Sequence, residues 1–200
     1  KGLKKFNATG VSVIVHPWNP KAPCSHLNIR FFEAVVGKKN IWWFGGGFDL
    51  TPYFINKSDV LFWKKSAETL CNKYNKGFYK KYNDNCNKYF FLPHRNEPRG
   101  VGGIFFDQLN SLDYDVCKSF ALDCAATFIQ SYSKLFNSKK NLKYTKKEKA
   151  FKKQQDVCKT VPPTIETVAV KAAGERNWYN EHEHASRVTE PCSFDPIVSR

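Results

Sequence analysis

The sequence predicts an α+β fold in which antiparallel strands come first along the chain and helices follow. Two segments near the N-terminus alternate apolar and polar side chains with the period of a β-strand, and a short polar turn joins the second to a third apolar segment. Longer segments with apolar residues at helical spacing come after them. With 200 residues and 16% aromatic residues, the chain has the length of one domain, or of one domain and a tail, and enough bulk for a core.

The N-terminal strands are predicted from alternation and from turn residues. Residues 9–16 place valines at every second position and are predicted as the first strand, whereas the basic residues 1–7 are predicted as an arm or a helix remnant. Three prolines then predict an irregular loop. Residues 25–36 are predicted as the second strand and GKKN, residues 37–40, as a hairpin turn, so a third strand is expected to begin at Ile41.

The predicted helices occupy most of the chain after residue 57. Residues 58–82 carry apolar side chains at helical spacing, with Ser58 as the candidate N-cap. Gly77 is expected to separate this helix from a second helical stretch that ends at Tyr89. The remaining predicted elements are a buried strand at residues 102–106, a helix at residues 113–136 and a short basic helix at residues 145–155.

The charge of the chain restricts its partners only weakly. A formal net charge of +14 is compatible with a nucleic acid, an anionic membrane or a polyanionic small molecule as partner. The lysines are scattered among asparagines, and the sequence lacks a basic motif with interleaved aromatic residues and a zinc pattern. A nucleic-acid-binding module is therefore the least favoured function, and no nucleic-acid partner is expected. No apolar run approaches the ~18 residues of a membrane span, so no transmembrane segment is predicted.

The cysteines and the missing methionine bear on the cellular context. Seven cysteines without a CxxC pair are typical of a protein from a reducing compartment rather than of a secreted disulfide framework. The chain has no methionine, so we expect it to start inside a longer reading frame. The absence of a targeting segment is then uninformative about the parent protein.

The most informative segment is WWFGGGFDLTPYF, residues 42–54. Three adjacent glycines suit a backbone that bends sharply or that a flat, bulky ligand approaches closely. Asp49 follows them between two apolar residues, and a buried carboxylate must be paired with cationic or N–H groups. A loop with a solvated aspartate would explain the glycines alone, but the aromatic surroundings favour Asp49 as a site residue. We expect its replacement by alanine to abolish turnover with the fold largely intact.

One face of the predicted second strand has an unusual composition. Alternation places His26, Asn28 and Arg30 on the same side. A solvated strand face more often carries lysine, threonine and glutamate. The set is therefore better explained as the lining of a polar pocket.

Three segments carry the strongest family resemblance. They are GVSVIVHPWNPKAPCSHLNIRFFE, WWFGGGFDLTPYF and YFFLPHRNEPRGVGGIFFDQL. In order and spacing they resemble the oxygen-dependent coproporphyrinogen III oxidases, whose pattern runs HP-x-NP-x-xP-x-x-H-x-N-Y-R-x-FE, then WWFGGG-x-DLTP, then FLPHR-x-E-x-RG-x-GG-x-FFDDL. The similarity extends from Phe6 to Gln155.

The resemblance implies a fold and a reaction. The fold is a flat antiparallel β-sheet sandwiched between α-helices, usually in a homodimer. The reaction oxidatively decarboxylates two propionates of coproporphyrinogen III to vinyl groups, giving protoporphyrinogen IX, CO2 and H2O2 in haem biosynthesis. O2 is the co-substrate, and no flavin, haem or nicotinamide is expected, because the reduced porphyrinogen is electron-rich enough to react with oxygen. A cytoplasmic location is expected, with the mitochondrial intermembrane space as the alternative if a missing N-terminus carried a transit peptide.

The resemblance also assigns roles around the polar strand face. His26 matches the family's proposed proton donor. Asn28, Ile29 and Arg30 match a substrate-contact triplet, in which Ile29 replaces the family's tyrosine. Ser12 occupies a further substrate-contact position.

The substrate's chemistry accounts for the remaining site residues. A macrocycle with four carboxylates and four pyrrole N–H groups needs apolar walls, a few arginines and one acceptor near its centre. Arg30, Arg95 and Arg99 are the arginines that precede Gln155, and all fall in matched motifs, which indicates that the planar guanidinium is needed there. Asp49 is expected to accept the central pyrrole N–H groups and to assist proton removal.

A metal site is a weaker expectation. Some bacterial members of the family are reported to hold a divalent ion with four histidines, and three of them match His16, His26 and His94. The fourth falls at about Lys64, which cannot be a ligand while protonated. Structural or hydrogen-bonding roles are therefore favoured for these histidines over a divalent metal site.

The similarity stops where lysine and asparagine nearly disappear. Residues 1–155 are predicted as a partial coproporphyrinogen-oxidase-like catalytic domain. Residues 156–200 are predicted as a divergent, irregular tail, whether an extension, read-through sequence or a disordered segment. The family's next strand, a Gly-Gly-Arg substrate contact and its dimer-forming helices have no counterpart there, which predicts an exposed sheet edge. Two hypotheses stay open: an active enzyme, or an inactive domain that keeps the porphyrinogen-binding fold.

Overall fold

A computed structural model of the chain describes residues 3–93 and 95–160, which form one sheet, a short hairpin and helices. In chain order the elements are β1 (Leu3–Val15), β2 (Cys24–Val36), β3 (Lys39–Thr51), α1 (Lys57–Tyr74), α2 (Phe78–Tyr89), β4 (Phe91–Leu92), β5 (Glu97–Pro98), β6 (Val101–Leu109), α3 (Tyr114–Lys139) and α4 (Lys146–Thr160). The predicted α+β class is confirmed. In this part of the chain, no helix has the length and apolar character needed to cross a membrane.

The main sheet is antiparallel, with its strands in the order β1, β2, β3, β6. A tight turn at Gly37 and Lys38 joins β2 to β3, as predicted, and Gly37 takes the left-handed φ of 65° that such a turn requires. The prediction of an arm or helix for residues 1–7 is wrong from residue 3 onward, because β1 begins there. Its early residues pair with the end of β2, and Phe6 stacks on Phe32 with ring centroids 6.3 Å apart.

Alternation gives the sheet two faces of different chemistry. One face carries the core, where Leu27, Phe48 and Ile104 from neighbouring strands pack with Trp63 of α1 and Phe120 of α3. Aromatic residues of α2 join the same cluster. The polar set predicted from the sequence alternates with these residues and lies on the opposite face. The described helices α1 to α3 thus cover one face of the sheet.

The first helix begins slightly earlier than predicted. The side-chain oxygen of Asn56 accepts a hydrogen bond of 3.1 Å from the backbone N–H of Asp59, so Asn56 is the N-cap. Ser58, the predicted cap, lies in the first turn and donates to the same oxygen over 2.6 Å. The break near Gly77 separates α1 from α2, as predicted.

The proline-rich loop between β1 and β2 holds the C-terminal end of α3. The side-chain amide of Asn19 donates to the backbone carbonyls of Lys139, Lys140 and Leu142 at 3.2, 3.1 and 2.7 Å. These carbonyls lie at the end of the helix, where intrahelical donors run out. The next helix, α4, continues to Thr160, so the first five residues of the predicted irregular tail are helical. The rest of that predicted tail lies outside the described residues.

Two β-bulges in β6 shape the polar face. The first, at Gly102 and Gly103, lies opposite Asp49. Gly102 has a φ of 62°, and a Cβ on Gly103 would lie 2.8 Å from the Cβ of Asp49 and 2.9 Å from the Sγ of Cys86. Glycine is therefore required where β6 passes this buried carboxylate.

The second bulge, at Asp107 and Gln108, lies opposite Gly45. Gln108 has a φ of 50°, in the left-handed region that residues other than glycine, asparagine and aspartate seldom adopt. The family pattern FFDDL has aspartate at this position, which suits the conformation better. The glutamine therefore adds local strain to this turn of the strand.

We predict that Gln108→Gly raises the free energy of unfolding by about 0.5–1 kcal/mol. Glycine removes a left-handed strain of ~1–2 kcal/mol, and the greater freedom of the unfolded chain offsets part of the gain. Urea unfolding of both proteins measures the difference. Gln130→Gly, at an exposed position within α3, is the control and should lose about 1 kcal/mol. A loss of stability in both variants would contradict the strain at residue 108.

Candidate active site

A pocket opens on the polar face of the sheet. It is lined by Ser12, Ile14, His26, Leu27, Asn28, Arg30, Gly47, Phe48, Asp49, Tyr89, Phe90, Arg99 and Phe105. The strand register explains the grouping, because Ser12 pairs with Asn28 across β1 and β2, and His26 pairs with Asp49 across β2 and β3. The structure therefore brings together most of the residues selected from the sequence.

Asp49 forms the buried centre of the pocket, with 3% of its side chain exposed. Its Oδ1 lies 2.8 Å from Nδ1 of His26. Its Oδ2 accepts hydrogen bonds from Nη2 and Nε of Arg99 at 2.6 and 3.1 Å. Burial alone would raise the pKa of Asp49, but attraction to His26 and Arg99 and their hydrogen bonds outweigh it and hold the pKa below its ordinary range.

The ionised carboxylate fixes the tautomer of His26. An aspartate anion only accepts hydrogen bonds, so Nδ1 of His26 carries a hydrogen and donates a hydrogen bond to Oδ1. The imidazole is 22% exposed, whereas Asp49 is nearly closed off. His26 is thus the side chain of the pair that a ligand can reach, and Asp49 holds its orientation.

The lowered pKa of Asp49 predicts that the unchanged chain loses stability in acid and that Asp49→Asn does not show this loss. Unfolded aspartate titrates near pH ~3.9, and the folded group titrates below that. The stabilisation from Asp49 is therefore fully present above this pH and is lost as the pH falls through the folded pKa. Urea unfolding of both proteins between pH 7 and pH 2 should show a stability difference that shrinks on acidification. A constant difference would contradict the assigned ionisation.

Aromatic rings form one wall of the pocket. The guanidinium of Arg99 lies 4.0 Å from the ring centroid of Phe90, and Tyr89 stacks on Phe105 with centroids 4.4 Å apart. The sequence interpretation missed these rings and Ile14. Alternation in β6 could have found Phe105, because Phe106 is fully buried in the core and its neighbour must face the other way.

The three glycines of β3 lie within the strand rather than at a bend. The strand continues through them to Thr51, so the sharp-bend alternative is not found. A Cβ on Gly45 would lie 2.6 Å from Nε of Arg30, and one on Gly47 would collide with the carbonyl oxygen of Ile104. The glycines thus let Arg30 lie flat across the sheet and let β6 approach β3.

Two predicted substrate contacts are not brought to the pocket. Ile29 packs its side chain against the core on the opposite face, so only its backbone is near the site. Arg95 lies between β4 and β5, where its Nε is 2.5 Å from Oε1 of Glu97, and it is not part of the pocket lining. Strand alternation and this ion pair are the physical reasons for the two differences.

The described residues include two of the three histidines named for the metal site, so they do not test that expectation as a set. His16 is exposed, with Nδ1 3.6 Å from Sγ of Cys24, and it does not line the pocket. His94 lies outside the described residues. Lys64 belongs to α1 and contacts the β6 bulge at Gly102. Within the described ranges, no three histidine, cysteine, aspartate or glutamate side chains group as a metal site. The observed partner of His26 is Asp49.

Comparisons with known proteins agree on one family. The family model for coproporphyrinogen III oxidase matches residues 1–157. Relatives named oxygen-dependent coproporphyrinogen-III oxidase include those of Francisella tularensis subsp. holarctica (strain OSU18), 47% identical over 149 residues, and Francisella philomiragia subsp. philomiragia, 46% identical over the same length. Each alignment covers 74% of this chain and 48% of the relative, so the chain spans about half the length of the curated relatives it matches. The chain belongs to the coproporphyrinogen III oxidase family.

Proposed function

We propose that this chain carries the substrate pocket of an oxygen-dependent coproporphyrinogen III oxidase, which converts coproporphyrinogen III to protoporphyrinogen IX in haem biosynthesis. The observation that carries the proposal is the partly exposed His26 held by the buried carboxylate of Asp49, within a pocket of arginines and aromatic rings. A tetrapyrrole is flat and largely apolar, with carboxylates at its rim. The aromatic wall suits the ring, and the guanidinium groups suit the carboxylates.

The reaction is balanced with O2 as co-substrate. For each propionate, the C–C bond to the carboxylate breaks and CO2 leaves, while the neighbouring carbon loses a hydrogen and a vinyl double bond forms. The two electrons and one proton released from the substrate, together with one proton from solution, reduce O2 to H2O2. We propose no further cofactor, and the steps are assigned to side chains of the pocket.

Within this reaction, His26 and Asp49 take different roles. A carboxylate offers about four acceptor positions, and Asp49 already accepts from His26 and twice from Arg99. One position remains for a pyrrole N–H of the substrate. His26, being more exposed, is placed to move the proton, whereas Asp49 keeps the imidazole and Arg99 in position.

Assembly and location belong to the same proposal. A homodimer is supported by β1, an edge strand of the described sheet with exposed apolar side chains at Phe6, Val11 and Ile14. A cytoplasmic location is supported by buried, free cysteines in the described part of the chain, at Cys71, Cys86, Cys117 and Cys124.

The proposal is tested by incubating the 200-residue chain with coproporphyrinogen III in air and following protoporphyrinogen formation, with an oxygen-free control. Binding of the stable oxidised analogue, coproporphyrin III, is measured in parallel by fluorescence. Conversion that requires O2 supports the enzyme. Binding without conversion favours the alternative, an inactive porphyrinogen-binding domain. A folded chain that neither binds nor converts contradicts the proposed function.

A further inference from the structure

We propose that Asp107 is a positioning residue that holds Arg30 in the orientation in which its guanidinium binds one carboxylate of the tetrapyrrole. The inference rests on the proposed function of the pocket. It assigns a role to a residue at the rim of the pocket, outside its lining. It also assigns a structural role to the second β-bulge of β6, at Asp107 and Gln108.

The contact between the two residues is direct. Nη2 of Arg30 lies 3.0 Å from Oδ1 of Asp107. The same oxygen accepts a hydrogen bond of 3.0 Å from the backbone N–H of Gln108. The carboxylate is therefore fixed from its own strand, while it holds the guanidinium across Gly45 of β3 on the same face of the sheet.

Strand alternation places Asp107 on the face that carries Arg30, and the bulge returns the next apolar residue of β6 to the core. Asp107 follows Phe105 on the pocket face by alternation, and Leu109 is nevertheless buried in the core. The extra residue, Gln108, restores Leu109 to the core side at the cost of a left-handed backbone. Backbone strain of this kind is found where the surrounding structure needs a side chain in one place.

The remaining donors of Arg30 are left for a ligand. Its Nε is buried and has no hydrogen-bond partner among the described residues. The guanidinium lies 5.8 Å from the ring of Trp43 and 5.9 Å from that of Phe105, so it is held between two rings. Nη2 contacts Asp107, and the other guanidinium donors can bind a carboxylate of the ligand. The planar guanidinium suits a carboxylate because it can donate two parallel hydrogen bonds.

Two physical roles of Asp107 predict opposite effects of its removal. Its side chain is 44% exposed and negatively charged. As a plain surface charge it would repel an anionic ligand, so its neutralisation would strengthen binding. As the residue that positions Arg30, its neutralisation weakens binding. The direction of the change therefore decides between the two.

The experiment compares Asp107→Asn with the unchanged 200-residue chain in fluorescence titrations. The ligands are coproporphyrin III, with four carboxylates, and its tetramethyl ester, which has the same ring without charge. We expect Asp107→Asn to weaken coproporphyrin III binding about tenfold, the loss of one charge-assisted contact, and to leave ester binding unchanged. Asp84→Asn, the same charge change at an exposed position of α2, is the control and should leave both affinities unchanged.

Each outcome has a separate meaning. Unchanged or tighter coproporphyrin III binding by Asp107→Asn overturns the inference, as does an equal loss for the ester. Asp107→Glu keeps the negative charge and should recover part of the coproporphyrin III affinity that Asp107→Asn loses. If Asp107→Asn does not fold, the two porphyrin affinities of Asp107→Glu are compared with those of the unchanged chain instead. If the unchanged chain binds neither porphyrin, the proposed function itself fails. These results separate a failure of the inference from a failure of the function.

Discussion

Asp49→Ala is expected to lower the free energy of unfolding by about 3–5 kcal/mol, the range found when one partner of a buried ion pair is removed. The side chain of Asp49 is 3% exposed, and that of Arg99, its partner, is 11% exposed. Without the carboxylate, the guanidinium stays buried with no counter-charge at that position, and His26 loses its acceptor. The loss is a large part of the 5–15 kcal/mol that typically stabilises a domain.

Urea unfolding at neutral pH measures this effect. Asp84→Ala, at an exposed position of α2, is the matched control and should change stability by no more than about 0.5 kcal/mol. Asp49→Ala combined with Arg99→Met should recover part of the loss, because it removes the stranded charge. Equal stability of Asp49→Ala and the control would mean that the aspartate serves a ligand alone.

This expectation revises the interpretation of Asp49 from the sequence. Aromatic neighbours indicated a site residue whose removal would leave the fold intact. The structure adds Arg99, fifty residues along the chain, as a partner within hydrogen-bonding distance. A sequence shows which residues need partners when buried but not which distant residue supplies them, because that depends on how β6 and its preceding loop meet β3.

Alternation predicted the polar strand face well. Its period of two puts His26, Asn28 and Arg30 on one side whatever the rest of the fold does, and all three line the pocket. The same rule places Ile29 on the other side, against the substrate contact that the family triplet implied for it. Local periodicity was the better guide to this side chain than position within a motif.

Other features depended on contacts that no local pattern contains. The residues before position 9 look too basic for a strand, yet they pair with the end of β2, which extends to Val36. The bulge at Asp107 arises because two residues of β6 lie opposite one residue of β3 at this point of the ladder. Both follow from the neighbouring strand, so only the assembled sheet reveals them.

His26→Ala is expected to lower turnover of coproporphyrinogen III by about 10²–10⁴-fold, the usual contribution of a positioned acid or base. His26 is the accessible member of its pair with Asp49, and Asp49 fixes its ring. Binding of coproporphyrin III should fall much less, because Arg30 is expected to carry the carboxylate contact. Turnover under air and fluorescence titration of the same preparations measure both quantities.

His16→Ala is the control for this substitution, since His16 is exposed and does not line the pocket. It should keep turnover within about threefold, well under the loss that removal of an acid or base produces. If His26→Ala loses affinity and turnover together, His26 contributes to binding rather than to proton transfer. If it keeps both, the proton is moved elsewhere, and the pair with Asp49 is structural. A proton-transfer role requires that turnover falls while the affinity for coproporphyrin III is largely kept, because such a role acts on the reaction and not on binding.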